Sequence, residues 1–123
     1  MKDYGFYYNV VDFPNRLIES KRIREKYPDR YPIIVEKDSN CKVLPDIDKN
    51  KYLVPQDLTI GQFSYVIRKR LKIKEETAIF LFHEQTLPPT SEMLQTFLKD
   101  KQEPDGFYYF TYSGENAFGS KIN

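Results

Sequence analysis

A chain of 123 residues is long enough for one domain that buries roughly two thirds of its unfolded surface, so neither a disulfide nor a metal is needed to hold it. An apolar content of 40%, with ten Tyr and nine Phe, excludes a disordered composition, and the single cysteine, Cys41, excludes an intrachain disulfide or a cysteine zinc cluster. The net charge of +1 conceals basic stretches at 16–30 and 68–74 and a more acidic last third, a pattern that suits an oriented partner or membrane surface as well as a plain solvated face.

No apolar run approaches the length of a membrane span, and MKDYGFYYNV has neither the apolar core nor the cleavage site of a signal peptide. One cysteine suits a reducing compartment. The expectation is an intracellular protein.

In chain order, Tyr4 to Tyr8 suggest a short aromatic helix or turn. Asp12 can cap a second helix with Pro14 in its first turn. Phe13 and Leu17 are four apart, as are Ile23 and Tyr27, but the step between the pairs is six. So broken a stripe predicts a helix packed on the surface of the domain. Pro28 ends it, because the residue before a proline is pushed out of the α region. YPIIVE (31–36) reads as a strand, followed by a polar loop to Asn50. KYLVP (51–55) reads as a second strand, antiparallel to the first because a turn-rich loop joins them.

Thr59 and Gln62 have the spacing of a capping box for a helix over 60–70. Phe63, Val66 and Ile67 form its stripe, which Ile60 and Leu71 extend. AIFLF (78–82) is the kind of short apolar run a central strand shows. Leu87, Pro88 and Pro89 form a rigid connector. Thr90 or Ser91 can cap a last helix that buries Leu94, Phe97 and Leu98. A turn at Pro104, Asp105 and Gly106 leads to a final strand, FYYFTY (107–112). The order is helix, helix, then β–β–α–β–α–β, an α+β class. A hairpin, a crossing helix and a late strand give a β-grasp arrangement of a four-stranded mixed sheet, a fold in which the first and last strands usually lie parallel at the centre.

Candidate chemistry is sparse. His83, the only histidine, reads as a solvated turn or sheet-end residue beside Glu84. A nucleophilic Cys41 would need His83 and a third orienting group beside it. Asp46 and Asp48 lack the ligand series of a calcium loop. Gly61 precedes no GK[ST], so no phosphate loop is present. The run RKRLKIK lacks exposed stacking aromatics, which argues against nucleic acid. More specific is KYLVP. At a sheet edge its free N–H and C=O groups would take an added strand from a peptide, with Lys49 and Lys51 attracting acids. The competing reading is that the N-terminal helices cover this edge. The tail SGENAFG, followed by SKIN, is either a segment able to thread a narrow enzyme channel or a frayed terminus.

KYLVPQDLTIGQFSYVIRKR, AIFLF, LPPTS and GFYYFTYSGENAFG, with YPDR and YPIIVEK before them, strongly resemble the autophagy ubiquitin-like modifiers conjugated to phosphatidylethanolamine, including GABA-receptor-associated proteins. The likeness runs from about Phe13 to Gly119. It implies an N-terminal helical part (1–28) that adds two helices, a ubiquitin-like β-grasp core (29–112) and a flexible tail (113–123). A cysteine protease would remove Ser120, Lys121, Ile122 and Asn123 after Phe118–Gly119. E1-like and E2-like enzymes would then join Gly119 to the lipid. The resemblance further implies that peptides of the form aromatic-x-x-aliphatic bind in two pockets. Glu19, Ile23, Pro32, Lys51, Leu53 and Phe107 would take the aromatic residue. Tyr52, Val54, Pro55, Leu58, Phe63, Val66 and Ile67 would take the aliphatic one. Arg30, Lys49 and Arg68 would meet acids flanking the motif.

The resemblance implies no catalytic residue, metal, cofactor or nucleic acid. It places the protein in the cytoplasm when free and on autophagosome, vesicle or vacuole membranes when lipidated. The alternative is an unconjugated peptide-binding adaptor in trafficking or on microtubules. The sequence departs from the family's pattern at VDFPNR, where many members have histidine–proline–phenylalanine. Its loop after the first strand is one residue longer, and Gly106 beside Phe107 is expected to loosen a pocket wall.

Overall fold

The computed structural model describes residues 5–115. The elements are α1 (Phe6–Val10), α2 (Phe13–Lys26), β1 (Arg30–Lys37), β2 (Lys51–Pro55), α3 (Ile60–Leu71), β3 (Phe80–Phe82), α4 (Leu94–Phe97) and β4 (Tyr108–Ser113). The strands form one sheet in the order β2-β1-β4-β3. β1 pairs antiparallel with β2 and parallel with β4, and β3 pairs antiparallel with β4. This is the ubiquitin-like β-grasp, with its first and last strands parallel in the interior and two helices added in front.

Both interior strands are covered on both faces, so their sequences read as unbroken apolar runs. Successive side chains point to opposite faces. Ile33, Val35, Tyr108, Phe110 and Tyr112 pack into the main core with Ile60, Phe63, Ile67 and Leu71 of α3. Ile34 and Tyr109, with Phe107 just before β4, pack on the other side against Tyr7 of α1.

The start of α3 follows its sequence. Thr59 Oγ1 accepts from the Gln62 amide at 3.1 Å, and the Gln62 side chain accepts from the Thr59 amide at 2.8 Å. The next two amides, of Ile60 and Gly61, donate to the Glu92 and Thr90 carbonyls. The helix start is therefore fully satisfied.

α2 begins where Asp12 accepts from Asn15 N, with Pro14 in its first turn. The interior it offers is polar, however. Its buried residues are Arg16 and Ser20, while Phe13 and Ile18 are exposed. Arg16 is 4% exposed and Asp105 1%. Arg16 Nε donates to Asp105 Oδ2 at 2.8 Å, and its Nη1 donates to the Tyr8 and Val11 carbonyls. Asp105 also accepts from Phe107 N and from the Tyr109 hydroxyl, and its carbonyl accepts from Ser20 Oγ. A charge this deep is tolerable only when paired and hydrogen-bonded to this extent. The apolar stripe of α2 is broken because the helix docks through this latch.

Two further expectations change. AIFLF yields only a three-residue strand, and it lies at the end of the sheet rather than in its centre. Leu81 and Phe82 are both buried, so the run reflects burial on two faces at an edge. α4 buries Leu94 and Phe97, with Leu98 next to it, but Met93 occupies its cap position and gives no side-chain bond. Thr90 serves instead through its backbone, at the start of α3.

Candidate functional site

β2 ends the sheet and pairs only with β1. Its other margin carries backbone groups with no strand beside them among the described residues. Along it runs an open cleft of about 800 Å³, lined by Glu19 and Ile23 of α2, Arg30 of β1, Lys49, every residue of β2, Leu58, and Phe63, Val66, Lys69 and Arg70 of α3. The strand's alternation divides the lining. Tyr52 and Val54 are buried on the α3 side, while Lys51, Leu53 and Pro55 are half-buried on the α2 side. The edge is thus flanked by helices on both sides and covered by neither.

Charge is arranged at both ends. At the α2 end, Lys51 Nζ donates to Glu19 Oε1, and the Tyr7 hydroxyl donates to Glu19 Oε2 at 3.1 Å. The same ammonium lies 5.3 Å from the centre of the Tyr7 ring. At the α3 end, Arg70 grips Asp48 through two hydrogen bonds of 2.7 and 3.1 Å. The bond from Arg70 holds the Asp48 carboxyl below its ordinary value. Lys49 Nζ sits 5.2 Å over the Tyr52 ring. The Tyr52 hydroxyl is buried without a hydrogen-bond partner, and burial pushes this phenol up to about 12.

Most residues named from the sequence meet at this cleft. Four do not reach its surface. Ile67 is wholly inside the main core, and Pro32 and Phe107 are buried, Phe107 beneath Tyr7. Arg68 turns its guanidinium to the Lys74 and Glu75 carbonyls at 3.0 and 3.3 Å. Phe63 lies under the cleft, edge-on to Tyr52. Gly106 leaves no gap in the wall. Its φ of +89° suits glycine, and Ser20 Oγ occupies the space a side chain would need.

Three residues escaped the sequence reading. Lys69 and Arg70 were read only as part of a basic run, although the spacing from Val66 puts both within one helical turn of it. Tyr7 sits on a helix whose docking depends on a long-range contact. The Glu36 carboxylate accepts from the Tyr7 amide at 3.1 Å, and no local pattern announces it.

The remaining candidates have structural roles. His83 is 5% exposed, so it is not solvated. It stands edge-on to Phe97 and Phe110 at the end of β3. Cys41 is buried in the loop after β1. Burial raises its thiol, but the amides of Gly114, Leu44 and Val43 and the Ser113 hydroxyl outweigh that and hold it below the ordinary thiol value. Neither residue lines the cleft. Asp46 pairs with Lys37 as Asp48 does with Arg70. Among the described residues, no cluster of His, Cys, Asp and Glu is placed to hold a metal. No described helix is long and apolar enough to cross a membrane. Phe118, Gly119, Ser120, Lys121, Ile122 and Asn123, like Tyr4, lie outside the described residues.

Three comparisons bear on this architecture. The family model for the ubiquitin-like autophagy protein Atg8 matches residues 15–119. Autophagy-related protein 8e of Arabidopsis thaliana is 60% identical over 109 residues, covering 89% of this chain and 88% of its own. Autophagy-related protein 8A of Oryza sativa subsp. indica is 58% identical over 105 residues, covering 85% and 87%. The crystal structure of Trypanosoma brucei ATG8 superposes with a TM-score of 0.85 at 38% identity, covering 91% of this chain and 95% of that one.

Proposed function

The chain belongs to the Atg8 family of ubiquitin-like autophagy proteins, and on that premise we propose that it is trimmed to Gly119, joined to phosphatidylethanolamine, and used on autophagic membranes to recruit receptors that carry aromatic-x-x-aliphatic segments. The family consists of ubiquitin-like modifiers in autophagy, acted on by conjugation enzymes and not enzymes themselves.

The observation that carries the receptor half of the reading is the unpaired margin of β2 beside the cleft. A peptide laid along Lys51, Tyr52, Leu53 and Val54 gains main-chain hydrogen bonds, and alternate side chains enter the two flanks. Its aromatic residue goes between Glu19, Ile23, Lys51 and Leu53. Its aliphatic residue goes between Val54, Pro55, Leu58, Phe63 and Val66. Arg30, Lys49, Lys51 and Arg70 favour acids around the motif. The rim charges speed encounter more than they tighten the complex.

The tail half rests on sequence. Hydrolysis of the Gly119–Ser120 amide frees a carboxylate with no side chain to obstruct an enzyme channel. The E1-like enzyme adenylates that carboxylate with ATP, releasing pyrophosphate, and a cysteine thiolate displaces AMP. The glycyl group then passes from thiol to thiol and on to the lipid amine, leaving an amide and a free thiol. Two acyl chains then anchor the protein firmly, since each buried CH₂ contributes about 0.8 kcal/mol, whereas one chain binds only marginally.

Intact mass of the protein recovered from autophagic membranes tests this. The expected species lacks Ser120 to Asn123 and carries one phospholipid, and Gly119→Ala is neither cut nor lipidated. Lipidated Gly119→Ala overturns the assignment of the reactive residue. An intact chain on those membranes indicates the unconjugated adaptor.

A further inference from the structure

We infer that the loop between β1 and β2 clasps the root of the C-terminal tail, and that Gly114, seated in that clasp against Val43 and Leu44, is a positioning residue for the reaction at Gly119. The inference rests on the reading of the tail given above and adds to it a part of the folded body.

β4 ends at Ser113, and the loop after β1 closes over that end. The Asp38 amide donates to the Tyr112 carbonyl at 2.9 Å, and the Tyr112 hydroxyl donates to the Pro45 carbonyl at 2.5 Å. Between these ties lies Cys41, 6% exposed, whose amide donates to the Asp38 carbonyl at 2.9 Å. Its sulfur accepts from the amides of Gly114, Leu44 and Val43 and from the Ser113 hydroxyl. The strand end, the tail root and the loop therefore share one buried acceptor. Gly114 fits so closely here that a side chain has no room. A methyl built on it would stand 2.6 Å from Val43 Cγ2 and 3.2 Å from Leu44 Cγ. Its φ is not in the left-handed region, so the contact, and not the backbone, is what calls for glycine. Leu44 is buried in the main core and cannot yield, and a β-branched residue such as Val43 is stiff at χ1.

The consequence follows from chain length. Gly119 comes five residues after Gly114, so it lies at most about 18 Å from the clasp. On so short a tether, the place where the tether starts decides where an enzyme can find the reactive residue. Ordering of Tyr112, Ser113 and Gly114 is complete before the enzyme arrives, so it is not a cost of binding. The Gly119–Ser120 amide itself does not touch the clasp residues through any bond closer than those five residues. The clasp therefore governs capture of the tail and leaves the bond-breaking step alone.

The test is cleavage of the full chain by the Atg8-processing cysteine protease of the same organism, followed by intact mass as loss of Ser120 to Asn123. Gly114→Ala pushes the root out of its seat. It is expected to lower kcat/KM by about fivefold to thirtyfold, the scale of one residue's backbone freedom, with kcat at saturating substrate unchanged. Val43→Ala removes the methyl group that the new side chain meets, while Cys41 and Leu44 still hold the root. The double variant Gly114→Ala with Val43→Ala is therefore expected to regain most of the loss. General loosening of the fold gives neither that split between KM and kcat nor that rescue. A Gly114→Ala chain cut as readily as the wild type overturns the inference, as does a fall in kcat at constant KM, or a double variant no better than Gly114→Ala alone. Failure of the wild-type chain to be cut sinks the tail reading itself.

Discussion

The two faces of the sheet are held by different chemistry. On one, α3 contributes Ile60, Phe63, Ile67 and Leu71, all apolar, into a continuous core. On the other, α2 buries an arginine and a serine, and the apolar contacts come mainly from Tyr7 against Phe107 and Tyr109. The apolar face is non-directional and tolerates small shifts. The polar face works only at one geometry, because Arg16 and Asp105 share their bonds with the Tyr8 and Val11 carbonyls, Phe107 N and the Tyr109 hydroxyl. One face supplies most of the burial. The other sets where Glu19 and Ile23 stand relative to β2, and so sets the width of the cleft.

Deletions on the two faces should therefore cost alike and be rescued differently. Phe63→Ala opens a cavity between Tyr52 and Phe110 and should cost about 3–5 kcal/mol in denaturant unfolding. Arg16→Met leaves the Asp105 carboxylate buried without its cation and should cost a similar 3–5 kcal/mol, roughly. Adding Asp105→Asn to Arg16→Met removes the stranded charge and should restore part of the loss. No second polar change should restore Phe63→Ala. Equal rescue on both faces would break the comparison.

Alkaline titration touches both faces at once. Burial raises the phenols of Tyr52 and Tyr112 on the apolar side and of Tyr7 and Tyr109 on the other. A phenol whose folded value is raised binds more protons folded than unfolded. Its contribution is complete below the ordinary value of about 10 and disappears as pH rises through the folded value. Stability measured from pH 8 to 12 should hold until about 10 and then fall, by up to about 1.4 kcal/mol per pH unit for each such phenol. Tyr52, raised to about 12, should account for part of that slope, and Tyr52→Phe should flatten it.

The smallest effect is expected where the sequence was clearest. Thr59→Ala removes one side of the capping box and should cost about 1 kcal/mol, read as a shift in the unfolding midpoint at constant slope.

Legibility followed the same division. The α3 face was readable because its signals are local: a cap, a 3.6-residue stripe and a strand closed by Pro55. The limits of β2 matched, and the parallel pairing of β1 with β4 is the one usual for the β-grasp arrangement that the order of elements suggests. The latch was not readable, because Arg16 and Asp105 lie 89 residues apart and nothing local marks either as buried. The same reason hid Tyr7, whose place depends on Glu36 and Glu19. His83 looked solvated because a histidine beside a glutamate usually is, yet Phe97 and Phe110 enclose it. AIFLF reads like an interior strand because burial on two faces leaves the same pattern at the end of the sheet.

Backbone hydrogen exchange of the full chain, with and without an acid-flanked aromatic-x-x-aliphatic peptide, tests the central claim most directly. The account predicts that the peptide slows exchange at the amides of Lys51, Tyr52, Leu53 and Val54 that face away from β1, while the amides of β3 exchange as before. Tight binding that leaves those β2 amides unprotected would contradict it.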